Sequence, residues 1–208
     1  MSTVKTSRQE QAAATRQRIL DAAYDLFCEL GYRATTMALI AERAGVAVQT
    51  VYFTFRTKDA LLQEVHGQTV LGRGTPVAPT DQPWYRASAA EPDPLRATRL
   101  LVEGLATILA RVAPMLPVFH AVVADPAGAV YRNAEALRRP AMYDVAREVL
   151  LPKGSLRPGV DEAYAGDLLV VLLGPEIYRM YVLEVGWSNE RWADWTTQVI
   201  VRELFEPG

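Results

Sequence analysis

Residues 35–62, TTMALIAERAGVAVQTVYFTFRTKDALL, constrain this chain more than any other stretch. A short alanine-rich helix runs into Gly45. A tight turn follows, then a very short helix carrying Gln49, Thr50, Tyr52, Phe53 and Thr54. A third helix opens after Thr57, with Lys58 at its mouth. Two short helices across a glycine turn make a helix-turn-helix, and the second can enter a DNA major groove. Thr36 and Thr57 carry the side-chain oxygen that an N-cap needs, whereas Ala47 carries none. The second helix bears the chemistry of a base-reading surface. Gln49 can offer its amide to adenine, and Thr50 a hydroxyl or a methyl. Tyr52 and Thr54 can donate to phosphate, while Phe53 can lie against sugar or thymine methyl groups. Thr36 and Lys58 sit at helix N-termini, where N–H groups and the helix dipole favour an anion. Phe55 reads as core of a small three-helix unit, and Tyr52 as a DNA contact.

The run AERAGVAVQTVYFTFRTKDALL resembles the N-terminal domain of the TetR family of bacterial transcriptional regulators. Gly45, Val46, Thr50, Val51, Tyr52, Phe53, Phe55, Lys58, Leu61 and Leu62 match the family pattern in order. The first helix, TRQRILDAAYDLFCELGY, extends the match to roughly the first third of the chain. Two positions depart from it: Ala47 stands where serine is frequent, and Thr54 where histidine is frequent. The resemblance implies an all-α fold with an N-terminal helix-turn-helix domain over residues 10–66. A helical ligand-binding and dimerisation domain over residues 72–208 would follow. Carried over by position, the family's DNA contacts fall on Thr36, Gln49, Thr50, Tyr52, Phe53, Thr54 and Lys58.

Bulk charge gives little sign of such a partner. The formal net charge is −2 over 208 residues. Its distribution says more: residues 1–60 hold eight Lys/Arg against six Asp/Glu. That slight basic excess lies on the segment with the motif, led by Lys5, Arg8, Arg16 and Arg18. The single cysteine, Cys28, cannot close an intramolecular disulfide and reads as a small core filler in a reducing compartment. No apolar signal region opens the chain, and LLVVLLG is far too short for a membrane span. A cytoplasmic protein with no membrane partner is expected.

Along the chain, residues to about Ala14 read as a flexible arm. Ile19, Ala23, Leu26, Phe27 and Leu30 then recur at helical spacing up to Gly31. Leu39 and Ile40 are expected on the inner face of the next helix. Residues 72–94 hold five prolines and two glycines and read as a long loop, with Trp84 and Tyr85 packed onto the domain that follows. From Pro94 an apolar stripe runs through Leu95, Thr98, Leu101, Val102, Leu105, Ile108 and Leu109, with a break at Pro114 and Pro117. Further helices are expected at about Ala129–Leu150 (kinked near Pro140), Val160–Gly186 (kinked at Gly174-Pro175) and Asn189–Leu204. No segment alternates as a strand would for long.

The last two helices are apolar nearly all round, so both sides need cover. Leu168, Leu169, Val171, Leu172, Leu173, Ile177 and Tyr181 line one; Trp192, Trp195, Val199, Ile200 and Leu204 line the other. The resemblance implies that a homodimer shares them, and two recognition helices would then read palindromic double-stranded operator DNA. All four tryptophans lie after residue 72. Trp84, Met115, Phe119, Met142, Tyr143, Tyr178 and Tyr181 are the residues expected to line an apolar cavity for a small-molecule effector. Its charged candidates are Arg111, Glu176 and Arg179. His66 and His120 lack metal-ligand spacing, no glycine-rich phosphate loop appears, and no serine has an evident base partner. No metal, cofactor or catalytic residue is expected. The reading is a dimeric transcriptional regulator, a repressor released by a small apolar or aromatic ligand. The alternative is an all-helical small-molecule-binding protein or enzyme with a structural N-terminal unit.

Overall fold

A computed structural model describes residues 4–72, 77–124 and 144–206, with side chains from Arg8 onward. Among these residues the fold is all-α. The nearest thing to a sheet is one isolated bridge between Leu156 and Phe205. Four helices build the N-terminal part: α1 Val4–Ala34, α2 Met37–Ala44, α3 Val48–Phe55 and α4 Lys58–Leu71. The helices that follow are α5 Pro83–Ala90, α6 Pro94–Val112 and α7 Leu116–Ala124. Residues 144–150 are helical (α8), and α9 Glu162–Leu172, α10 Pro175–Tyr178 and α11 Asn189–Leu204 complete the chain.

Local chemistry sets most of these boundaries. Thr36 accepts from Leu39 N at 3.2 Å and starts α2; Thr57 accepts from Ala60 N at 3.1 Å and starts α4. Gly45 ends α2 in the left-handed region (φ 65, ψ 42), returning its N–H to α2 carbonyls. Asp93, Asp161 and Ser188 cap α6, α9 and α11 in the same way. Pro94 occupies the first turn of α6, where its missing N–H costs nothing.

Several expectations change. The N-terminal residues are helical from Val4, continuing α1, rather than an arm without structure. Their alanines and long polar side chains carry high helix propensity. Residues 83–90 form α5, not loop. Pro83 sits at its first turn, where proline is tolerated, and Trp84 and Ser88 anchor it on α6. Ser88 Oγ donates to Ala97 O at 2.7 Å, and the Trp84 ring fills the space above Gly104. The helix expected at 160–186 is three pieces. Pro175 lacks the N–H needed to continue α9, so the chain breaks at Leu173-Gly174. Arg179–Glu184 then winds as a π-turn, with Val185 N bonded to Met180 O at 2.9 Å. Leu39 and Leu95 are exposed; Met37, Ile40, Ala41 and Ala44 make the inner face of α2. Cys28 lies at the surface of α1, not in the core. Most of the helix expected at 129–150, with its kink near Pro140, lies outside the described residues.

Two apolar clusters hold the fold. The first joins Ile19, Ala23 and Phe27 of α1 with Ile40 of α2, Val51 and Phe55 of α3, and Leu61 and Leu62 of α4. It does not stop at the linker: Met115, Val118, Phe119 and Val122, at and within α7, are part of it. The second joins α6, α8, α9 and α11 around Leu101, Leu150, Leu169, Trp192 and Ile200, all with no exposed surface. The continuous stretch Pro94–Ala124 is long and apolar enough to cross a membrane by length and composition, unlike any run noted in the sequence. Half of its most apolar window is buried inside the fold. Packing of α6 against α5, α4 and α11 accounts for that apolarity.

Candidate nucleic-acid interface

α3 is eight residues long and has two unlike faces. Val51 and Phe55 point into the first core and are sealed there. On the other side Gln49 is exposed, Tyr52 is 50% exposed and Phe53 is 90% exposed. Burying one phenylalanine is worth about 1.5–3 kcal/mol, so the bare Phe53 ring, with Tyr52 beside it on the same helix, offers that much to a partner that covers it. Ala47 provides no capping oxygen to this helix, as its side chain dictates.

The remaining predicted contacts divide by what their polar atoms already do. Thr36 is exposed at the mouth of α2. Its oxygen accepts the capping bond, which leaves its hydroxyl proton to donate outward. Thr50 is half-buried on α3. Thr54 is also half-buried, and its hydroxyl donates to Thr50 O at 2.7 Å, back along its own helix. Donation to phosphate from Thr54 would require that bond to break.

Lys58 differs most from its expected role. Its ammonium donates to Tyr32 O at 2.8 Å and Thr35 O at 2.9 Å, and lies 4.1 Å from the centre of the Tyr32 ring. Burial lowers its pKa below the ordinary lysine value, while neighbouring Asp59 opposes that shift. Two of three N–H donors are therefore committed to the α1–α2 junction. Tyr32 OH in turn donates to Asp59 in the first turn of α4. The sequence did not signal this knot, because Lys58 and Tyr32 lie 26 residues apart.

Other cations near the motif are paired. Arg16 bonds Glu64 and stacks 4.7 Å from the centre of the Phe55 ring; Arg43 forms a two-pronged pair with Glu29 at 2.9 and 3.0 Å. Arg56 is different. It is exposed, and it closes α3 at φ 58, ψ −51, the one non-glycine residue with positive φ among the described residues.

Among the described residues the predicted ligand-lining side chains are divided between the two cores. Met115 and Phe119 are buried in the first core, where the Phe119 ring packs 4.5 Å from His66. Tyr178 is buried in the second core, edge-on to Trp192, with its hydroxyl bonded to Asn189 Oδ1. Trp84 lies over Gly104, and Tyr181 packs on Trp187 and Trp195 at 4.5 and 5.0 Å. Met142 and Tyr143 lie outside the described residues. A recess of about 100 Å³ opens at the α1–α4–α6 seam between Leu20, Asp21, Tyr24, Val65, Gln68, Thr69 and Arg111. Arg111 there donates to Thr69 O at 3.0 Å, and Tyr24 donates to Arg111 O at 3.1 Å. Arg179 is held by Glu184 at 3.2 Å rather than facing a cavity. Among the described residues no His/Cys/Asp/Glu group could hold a metal ion.

Residues 19–65 match the family model described as "Bacterial regulatory proteins, tetR family". The chain is 39% identical over 72 residues to an uncharacterized HTH-type transcriptional regulator, YvkB, of Bacillus subtilis; the match covers 35% of this chain and 38% of that one. The chain thus spans well under two thirds of this relative's length. A longer match, to the HTH-type transcriptional regulator UidR of Escherichia coli K12, is 25% identical over 178 residues, 79% of this chain and 80% of the other. Among solved structures, NalD, the secondary repressor of the MexAB-OprM multidrug efflux pump in Pseudomonas aeruginosa, superposes with a TM-score of 0.67. It is 19% identical and covers 96% of this chain and 100% of NalD. KstR2 of Mycobacterium tuberculosis, a ketosteroid transcriptional regulator, gives 0.60 at 17% identity, over 92% of this chain and 95% of its own. These last two likenesses are likenesses of fold. Residues 19–65, with the helix-turn-helix of α2 and α3 inside them, thus carry the N-terminal domain of the TetR family of bacterial transcriptional regulators, and the all-helical body behind them shares the fold of these two structures.

Proposed function

We propose that the protein is a homodimeric, sequence-specific DNA-binding regulator that represses transcription until a small apolar or aromatic molecule releases it. The observation that carries the DNA-binding part is the outward face of α3. Gln49, Tyr52 and Phe53 are exposed on a helix whose opposite face is sealed. That face matches major-groove readout by amide, hydroxyl and apolar contact. Thr36 and Thr50 complete the contact set. Thr54 and Lys58 serve it chiefly by holding α3 and α4 in place, since the Thr54 hydroxyl and two of the three Lys58 donors are taken up within the fold.

Dimerisation is supported by apolar surface on the C-terminal pieces. Val170, Val171, Met180, Leu183 and Val185 are all exposed. Ile200, Trp192 and Leu204, by contrast, belong to the protomer's own core. The dimer is proposed to form on the outer faces of α9 and the Arg179–Glu184 turn, with Val199 of α11 beside them. Such a dimer would present two recognition helices to a palindrome.

Release by a ligand rests on the half-buried rings of Trp84, Tyr181, Trp187 and Trp195. Met115, Phe119 and Tyr178 are core and are not used as a wall. A ligand acts only if it prefers a conformation whose recognition helices are wrongly spaced; a coupling of about 1–3 kcal/mol changes DNA affinity about 5–150-fold. The relatives' roles as regulators support a non-enzymatic, cytoplasmic protein. The test is enrichment of duplexes from a random library by the wild-type protein, repeated with Phe53→Ala. Wild type should enrich a palindrome, and the variant should lose it while keeping its fold. Failure to enrich any sequence would sink the proposal.

A further inference from the structure

We infer that Arg56 is a DNA-phosphate contact at the C-terminal end of the recognition helix, held there by a strained turn. The inference deepens the proposed DNA-binding reading and rests on it. Arg56 N bonds Tyr52 O at 2.9 Å and closes α3; then Thr57 N bonds Phe55 O at 2.5 Å. An i→i+2 bond around a residue at φ 58, ψ −51 is the positive-φ γ-turn, a rare and strained conformation. Glycine adopts it with least penalty, yet the chain carries arginine there. Strain of this kind collects where a side chain has work to do.

Position and charge say what the work is. Gln49, Tyr52 and Phe53 form the exposed row of α3, and Arg56, also exposed, follows directly at its C-terminal end. Arg16 and Arg43 are neutralised by carboxylates, and Lys58 is tied to two carbonyls. The Arg56 side chain makes no hydrogen bond or ion pair among the described residues. A planar guanidinium with its donors uncommitted fits phosphate oxygens two at a time. The turn also brings the capped start of α4 next to it, so the phosphate would lie beside a helix N-terminus.

The experiment uses the full-length protein and an about 30-bp duplex enriched by wild type from a random library, since two half-sites lie about one helical turn apart. Binding of Arg56→Ala, Arg56→Lys and Arg56→Gly is measured across a salt titration, with thermal melting of each. Alanine should weaken all sequences alike and flatten the slope of log K against log salt by about 0.9 per contact, about 1.8 for a dimer. Lysine should restore most of that slope. Glycine should flatten it as alanine does while raising Tm by a few degrees, because the strain is relieved without the charge. A wild-type slope in the alanine and glycine variants overturns the inference alone. Relaxed preference at one base position with the slope intact also overturns it, by making Arg56 a base contact. If glycine lowers Tm, the strained-turn account falls. Should wild type enrich and bind no duplex, the DNA-binding reading fails and takes the inference with it.

Discussion

Replacing Lys58 by methionine separates two roles that look alike in sequence. As a phosphate contact, Lys58 would contribute to DNA affinity and little to folding. In the structure its ammonium joins the carbonyls of Tyr32 and Thr35, at 2.8 and 2.9 Å, and lies over the Tyr32 ring. Methionine keeps the stem and removes the donors. A hydrogen bond from a charged donor is worth about 1.5–3 kcal/mol, and the cation–π contact about 0.5–1. Lys58 is only half-buried, so water replaces part of both, and the net loss comes to about 2 kcal/mol. For a chain of this size each kcal/mol moves Tm by about 2–4 °C, which gives a drop of about 4–8 °C. Circular dichroism melting measures it directly. Affinity for DNA should fall as the α2–α4 geometry loosens, but the salt slope should stay at the wild-type value. A Tm within about 1 °C of wild type, with a slope flattened by about 1.8, would refute the clamp and restore the phosphate role.

Three other perturbations test the packing and the surface. Gly104→Ala places a Cβ 2.1 Å from the Trp84 ring, and overpacking of this kind costs about 1–3 kcal/mol. Urea unfolding should show that loss, and an unchanged midpoint would mean that α5 does not rest on α6 as described. Val171→Glu alters an exposed position on α9, whereas Ile200→Glu puts a charge where no surface is exposed. Light scattering should find the first variant folded but monomeric and the second unfolded or aggregated. A folded dimer from Val171→Glu would remove α9 from the interface. Burial pushes the Cys28 thiol up to about 11 although the residue reaches the surface. Its thiolate at pH 8 is then about a hundredfold scarcer than for an ordinary thiol; the greater nucleophilicity of a high-pKa thiolate offsets part of that, so disulfide-reagent labelling should be about tenfold slower. Labelling at the rate of a free peptide cysteine would contradict this environment.

Local features of the chain were readable because their physics is local. Thr36, Thr57 and Gly45 bound α2 and α4 through bonds that span three or four residues, and their positions alone predict them. Val51 and Phe55 against Gln49, Tyr52 and Phe53 is likewise a periodicity, and it survives folding unchanged. Pro175 breaks its helix wherever the helix packs. Proline-rich composition misled at residues 83–90, because Pro83 opens a helix as readily as it ends one.

What the fold alone decided are the partners that meet across long stretches of sequence. Lys58 reads as a phosphate ligand until Tyr32, 26 residues earlier, is brought beside it. Ile200 and Val171 look equally fit for an interface until packing of the second core covers one and leaves the other bare. Aromatic content alone could not tell Met115, Phe119 and Tyr178, which are core, from a cavity wall. Hydrophobicity and charge in a sequence state what must be buried or paired. Which groups do the burying and pairing is set by helix packing, where each contact depends on all the others.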